Sequence, residues 1–293
     1  MKPASVTPLL AFQDVSIDYG PFRAVEGVTL GLRPGETLGL AGESGSGKST
    51  LGRAALRLNP LSGGAIYLEG ERISGAIPRE RARRLPGRLQ MIFQDPMASL
   101  NERAKVEYIV TEGLMNGPGR LSARERRLAA ARALEAVGLD GTLLDRFPHE
   151  FSGGQRQRIG IARALVMDPA CIIADEPVSA LDVSARAQVL NLLAQLKRQR
   201  GMGYLFISHD LALMGYFCDR IAVLCRGRLV ELAPAEALFA RPAHAYTRAL
   251  LAAAPLPDPD APRRAAPPWK PPEGAAWLRQ IAPGHFVRME GGG

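Results

Sequence analysis

Gly42-Glu43-Ser44-Gly45-Ser46-Gly47-Lys48-Ser49-Thr50 fits the spacing G-x-x-x-x-G-K-[ST]. Closely spaced glycines let backbone N–H groups curl around an anion with no Cβ in the way, and Lys48 adds a point charge. The strand-like run Thr37–Leu40 precedes the loop, and a helix-competent run to Leu58 follows it. Bound phosphates would therefore sit at a helix N-terminus, the context this loop requires. A phosphate loop of this kind implies an α/β core and leaves kinases, GTPases and many ATPases open.

Further along the chain, Cys171–Ala174, Tyr204–Ile207 and Ile221–Leu224 are short unbroken apolar runs, predicted to be strands buried on both faces. Helix-like segments Gln155–Val166 and Ser184–Gln199 alternate with them, which predicts a parallel sheet. Gly201 is placed to stop the second helix, and Asp168-Pro169 to break the first. Ala11–Ile17 and Val28–Leu32 read as strands of a smaller β layer at the loop's entrance. Between Asn101 and Pro148 the pattern is helical. Ser122 and Glu125 are spaced as a capping box, and Leu128, Ala131, Leu134 and Val137 recur at helical intervals up to Gly138. This stretch reads as an inserted helical lobe, about 97–165. After Leu251 prolines cluster at 255, 257, 259, 262, 267, 268, 271 and 272. Residues 1–254 are therefore expected to form the folded domain, and 255–293 a Pro-rich extension, extended or partly disordered.

The 293 residues, 46% hydrophobic, suffice for one large core, or one and a smaller lobe. No stretch approaches the roughly 20 apolar residues of a membrane span, and Met1–Ala11 lacks a basic start followed by an apolar core, so a cytoplasmic chain is expected. Cys171, Cys218 and Cys225 lie in or beside apolar segments, which suits buried, reduced thiols. The net charge of +8 comes largely from arginine, with runs at Arg79, Arg81, Arg83, Arg84 and Arg88, and at Arg124, Arg126, Arg127 and Arg132. Nucleic acid and anionic lipid headgroups are possible partners of such runs. Aromatic residues are only 6% and do not interleave with them, so a solvated surface is the simpler reading and no nucleic acid is expected.

The apolar strand ending in Asp175-Glu176 narrows the chemistry. A carboxylate at the C-terminal end of such a strand can hold Mg²⁺ directly or through water, while the adjacent one polarises an attacking water. Asp175 takes the first role and Glu176 the second, with the Ser49 hydroxyl a further Mg²⁺ ligand. Ser152-Gly153-Gly154, opening the helix near Gln155, supplies a second set of anion donors.

With these elements in order, residues 9–240 resemble the ATP-binding-cassette (ABC) ATPases. Phe151-Ser152-Gly153-Gly154-Gln155 is similar to the family signature, with Phe151 where leucine is commoner. The resemblance implies an α/β fold: a P-loop NTPase core with a mainly parallel sheet, a small antiparallel β layer and an inserted helical lobe. It also implies ATP and Mg²⁺ as cofactors. Gln94 in Phe93-Gln94-Asp95-Pro96 resembles the glutamine that senses γ-phosphate and Mg²⁺, His209 the switch histidine, and Ser179-Ala180-Leu181-Asp182 the D-loop. Tyr19 sits where the family places an aromatic that stacks on adenine, with Phe22 a substitute. In the family two cassettes pack head to tail, so the phosphate loop and Asp175-Glu176 belong to one pocket, and Ser152-Gly153-Gly154 completes a partner's.

A finer resemblance points to the ATPases of oligopeptide and dipeptide importers, in particular the second, F-type ATPase of their pair. It is carried by Gly35–Leu40, Phe93–Asn101, Ala174–Ser184 and His244-Ala245-Tyr246-Thr247-Arg248-Ala249-Leu250-Leu251. Ala245 stands where proline is usual, and Glu102 where proline commonly follows Ser-Leu-Asn. The cysteine cluster that holds an iron–sulfur centre in some members is absent beyond Leu251, so no such cofactor is expected. The implied partners are a second cassette, identical or different, two membrane permease subunits docked near residues 95–115, and indirectly an extracytoplasmic solute-binding protein. The implied place is the cytoplasmic face of the inner membrane. A soluble ABC ATPase of DNA repair or translation, a non-hydrolysing regulatory subunit, and an importer for nickel or another small solute remain alternatives.

Overall fold

Apolar runs that do not alternate become strands buried on both faces, and here those strands carry the loops of interest at their ends. The computed structural model describes residues 7–95, 99–115, 121–253 and 276–290. The chain divides into two compact units, one of Met1–Leu10, Arg33–Gly35 and Tyr67–Tyr204, the other of Ala11–Leu32, Glu36–Ile66 and Leu205–Gly293.

The second unit holds the phosphate loop, between β3 (Thr37–Ala41) and α1 (Lys48–Ala55). All five β3 residues are buried. Helix α1 ends at Ala55, three residues before the expected Leu58, with Leu56 as its C-cap. Strands β1 (Leu10–Tyr19), β2 (Phe22–Leu32) and β4 (Gly63–Leu68) form a separate layer in the order β2-β1-β4. The alternation along β1 slips by one residue at Asp14, whose φ is 51°, so that Leu10 and Phe12, then Val15 and Ile17, are buried. Beyond β8 (Gly203–Ile207) and α7 (Leu211–Phe217), β9 (Arg220–Cys225) pairs parallel with β3, matching Gly39 to Ile221 and Ala41 to Val223. A hairpin return, β10 (Arg228–Pro234), then runs antiparallel to β9 and leads into α8 (Ala235–Ala240) and α9 (Ala245–Ala253).

The sheet does not stop at β10. Strands β11 (Ala276–Ala282) and β12 (His285–Glu290) form a hairpin, and β12 pairs with β10 at Glu231↔Val287 and Leu232↔Phe286. These strands lie within the segment read as an extension; the proline-rich stretch before Ala276 is outside the described residues.

In the first unit β5 (Glu71–Arg72) and α2 (Arg79–Arg84) precede β6 (Leu89–Ile92). Strand β6 pairs parallel with β7 (Cys171–Asp175), and Ile92 lies opposite Ala174. Helices α3 (Val106–Met115), α4 (Ala123–Ala136) and α5 (Gly153–Leu165) pack against one another as a lobe. The Ser122/Glu125 capping box is present. The buried stripe of α4 and its C-cap, however, runs through Ala130, Ala133, Leu134 and Val137, while Leu128 is 50% exposed. Small residues at 130 and 133 let the helices approach closely, and this turns the larger Leu128 outward. Helix α6 (Val183–Arg200) ends on Gly201 at φ 67°, the left-handed stop its position predicted. All three cysteines are buried. Among the described residues no helix is long and apolar enough to cross a membrane.

Candidate active site

The phosphate loop is held open by its own lysine. Lys48 Nζ donates to the carbonyls of Gly42 at 2.8 Å and Glu43 at 2.7 Å, and lies 3.3 Å from Ser46 Oγ. The side chain is buried, so its charge rests inside the curl of backbone where an anion would lie. Two of the glycines are obligatory. Gly42 has φ 143°, and a Cβ there would come within 2.2 Å of the Leu224 carbonyl oxygen. Gly47 has φ 97°, and its Cβ would meet Ala24 O at 2.6 Å. No side chain fits either place without moving backbone. The turn after β9 completes the support: Gly227 N donates to Ser46 O at 3.1 Å, and Glu26 N to Gly227 O at 2.9 Å.

Ser49 and Thr50 lie in the first turn of α1, and Ser44 and Gly45 at the exposed crown of the loop. His209 is in the same unit, on an exposed turn after β8. Ser208 N bonds to Leu40 O on β3, and Asp210 caps α7 by accepting from Leu213 N at 3.2 Å. The histidine is thus fixed between an anchored serine and a helix cap. Tyr19 and Phe22 flank the β1–β2 turn, 48% and 62% exposed, two aromatic faces that nothing in the core requires.

In the first unit the parallel register of β6 and β7 does what the sequence alone could not show. Ile92 is paired with Ala174, so two residues further on Gln94 and Glu176 emerge side by side. Gln94 Nε2 donates to Glu176 Oε2 at 2.9 Å. Glu176 adopts φ 47°, a left-handed conformation rare outside glycine and a form of strain found at functional sites. Its carbonyl accepts from Ser179 N and Ser179 Oγ, which secures the turn. Asp175, 1% exposed, closes the buried strand. The Asp175 carboxylate and the Gln94 amide oxygen are hard donors of the kind that Mg²⁺ takes, and so, within the other unit, is the Ser49 hydroxyl. The donor set fits that ion. Asp182 spends its carboxylate as the N-cap of α6, accepting from Ala185 N at 2.9 Å.

The signature also begins a helix, as a capping box not foreseen in the sequence. The Ser152 hydroxyl accepts from Gln155 N at 3.4 Å, and Gln155 Oε1 accepts from Ser152 N at 2.9 Å. Serine and glutamine hold each other, leaving the glycines at the helix tip. A Cβ on Gly153 would meet nothing within 4 Å, and one on Gly154 only ordinary contact with Ala185 at 3.5 Å.

A phosphate loop on a buried parallel strand, an acidic strand end next to a glutamine, a helical lobe opened by a Ser-Gly-Gly tip and an antiparallel β layer define the class: the ATP-hydrolysing cassette of an ABC transporter. Residues 25–179 match the family described as ABC transporter, and residues 230–277 the family described as oligopeptide/dipeptide transporter, C-terminal region. The oligopeptide transport ATP-binding protein AmiF of Streptococcus pneumoniae is 53% identical over 255 residues, covering 86% of this chain and 83% of that protein. OppF of Bacillus subtilis, with the same description, is 49% identical over 275 residues, 92% and 90% of the two chains. Among solved structures, cbiO1 from Clostridium perfringens, part of an ABC transporter complex, superposes with a TM-score of 0.71 at 28% identity, covering 80% and 91%. A dimeric ATP-binding cassette, MJ0796, in a post-hydrolysis state with ADP and Pi bound, gives 0.69 at 26% identity, covering 77% and 98%. The chain belongs to the ATP-binding proteins of the oligopeptide transport family.

Proposed function

We propose that this chain powers the import of oligopeptides or dipeptides, hydrolysing MgATP beside two membrane permease subunits on the cytoplasmic face of the membrane. The observation that carries the peptide reading is the coexistence in one chain of a complete cassette and a C-terminal region matching that of peptide transporters. In this reading Lys48 and the amides of Gly42–Thr50 bind the β- and γ-phosphates, and Tyr19 stacks on adenine. Ser49, Gln94 and Asp175 hold Mg²⁺, which when bound neutralises charge on the phosphates.

Glu176 is the residue we assign to the attacking water. Its carboxylate, positioned by Gln94, accepts the water's proton as the oxygen attacks the γ-phosphorus. His209 donates to the γ-phosphate. Asp182 acts through the D-loop it caps. Ser152, Gly153, Gly154 and Gln155 serve the nucleotide of a second cassette, and the chain beyond Gln94 docks the permeases, so that ATP-driven closure and reopening switch them between two accesses. A solute-binding protein delivers cargo from outside.

The test is purification from membranes through this chain, followed by ATPase assay with and without peptide-loaded binding protein. Expected are co-purified multi-span subunits and hydrolysis stimulated by peptide. Recovery alone, or with ribosomes or DNA, would contradict the reading.

A further inference from the structure

The C-terminal region reaches the phosphate loop through Tyr246. Tyr246, in the first turn of α9, is 5% exposed, and its hydroxyl accepts the backbone N–H of Glu43 at 3.2 Å. The carbonyl of that same residue accepts from Lys48. The backbone of Glu43 is thus held at both its N–H and its carbonyl, by a tyrosine 203 residues away and by the lysine within the loop. Burial pushes the Tyr246 hydroxyl up to about 12 and the neighbouring Cys225 thiol to about 11. At neutral pH the phenol is therefore an uncharged acceptor for the amide.

Tyr246 is itself held from the sheet. Glu231, in the middle of β10, is completely buried, a costly place for a carboxylate unless it is paired and hydrogen-bonded. Its two oxygens accept from Ala243 N and His244 N, each at 2.9 Å, and Oε1 lies 2.7 Å from His285 Nε2 on β12. His244 Nδ1 in turn accepts from Tyr246 N at 3.1 Å. A continuous chain of contacts runs from the β11–β12 hairpin through Glu231 and His244 to Tyr246 and the loop, all within one unit.

We propose that the C-terminal region is a brace for the phosphate loop, with Tyr246 the positioning residue that presets the loop for ATP and Glu231 the post that holds Tyr246. This rests on the reading of Gly42–Thr50 as the ATP site. Tyr246 touches neither nucleotide nor the reacting atoms in this account, so its loss acts on affinity: a loop that must be ordered at the moment of binding binds more weakly.

The experiment compares MgATP affinity and steady-state hydrolysis of the full chain in wild type, Lys48→Ala, Tyr246→Phe and Thr247→Val. Thr247 is buried beside Tyr246 on the same helix and its hydroxyl has no hydrogen-bond partner among the described residues, so its variant reports packing alone. Tyr246→Phe keeps the ring and removes the acceptor. Its Kd and KM for ATP are expected to rise about three- to tenfold, the worth of one neutral hydrogen bond, with kcat within about twofold. Thr247→Val is expected to leave both unchanged. Glu231→Gln, which weakens the post, is expected to raise Kd by less, and to add little on top of Tyr246→Phe. If Lys48→Ala binds ATP as well as wild type, the reading of the site itself fails. If Lys48→Ala loses binding but Tyr246→Phe does not change Kd, or changes it no more than Thr247→Val, the brace is overturned.

Discussion

The two glycine-rich loops of this cassette look alike in sequence and differ in what demands the glycines. At Gly42 and Gly47 the demand comes from inside the chain: φ is positive, and a Cβ would strike the carbonyls of Leu224 and Ala24. At Gly153 it does not, since a Cβ there meets no atom within 4 Å. The phosphate loop is finished within its own unit, with lysine, β9–β10 turn and Tyr246 all in place. The signature tip is finished as a helix cap and bare as a surface. A bare tip of this kind suits an object that approaches from outside, in the function proposed above the nucleotide held by a second cassette.

The largest effect that sharpens this contrast falls on chemistry rather than architecture. Glu176→Gln keeps the shape of the Gln94 pair and removes the proposed base, so hydrolysis by the assembled transporter should fall by about 10²–10⁴-fold with ATP binding retained. An ATPase assay paired with nucleotide-binding titration checks both halves. Near-normal turnover would remove Glu176 from the role assigned to it.

A smaller effect is expected from Gly42→Ala. The added methyl must displace backbone on β9, so the chain should lose roughly 1–3 kcal/mol of stability and most of its ATP affinity, readable by denaturant unfolding and binding titration. A variant as stable and as tight as wild type would show that the loop tolerates a side chain, and the contrast with Gly153 would vanish.

What could be read from sequence divides by range. The phosphate loop, the buried strands, the Ser122 cap and the Gly201 stop are legible because each is decided by a few neighbouring residues. The Gln94–Glu176 contact needed the register of β6 on β7, which no local pattern encodes. Tyr246 appeared only as part of a resemblance, since nothing near residue 246 points to an amide at residue 43. Glu231 sits in an apolar strand and carries no sequence signal until its partners at 243, 244 and 285 are brought to it. Prolines up to residue 272 set the reading of the whole tail, and so the hairpin at 276–290 was missed. The helical recurrence through Leu128 and Ala131 marks a helix but not its buried face, which runs through Ala130, Ala133, Leu134 and Val137.

Gly153→Ala, measured twice, tests the central claim most directly: MgATP affinity of the isolated chain, and turnover by the transporter assembled with its second cassette. The substitution should leave stability within about 0.5 kcal/mol of wild type, as at other surface positions. Affinity in the isolated chain should be unchanged, while turnover of the complex falls about tenfold or more, a barrier increase of roughly 1.4 kcal/mol. Weakened affinity in the isolated chain, or full turnover in the complex, would contradict a signature built for a partner's nucleotide.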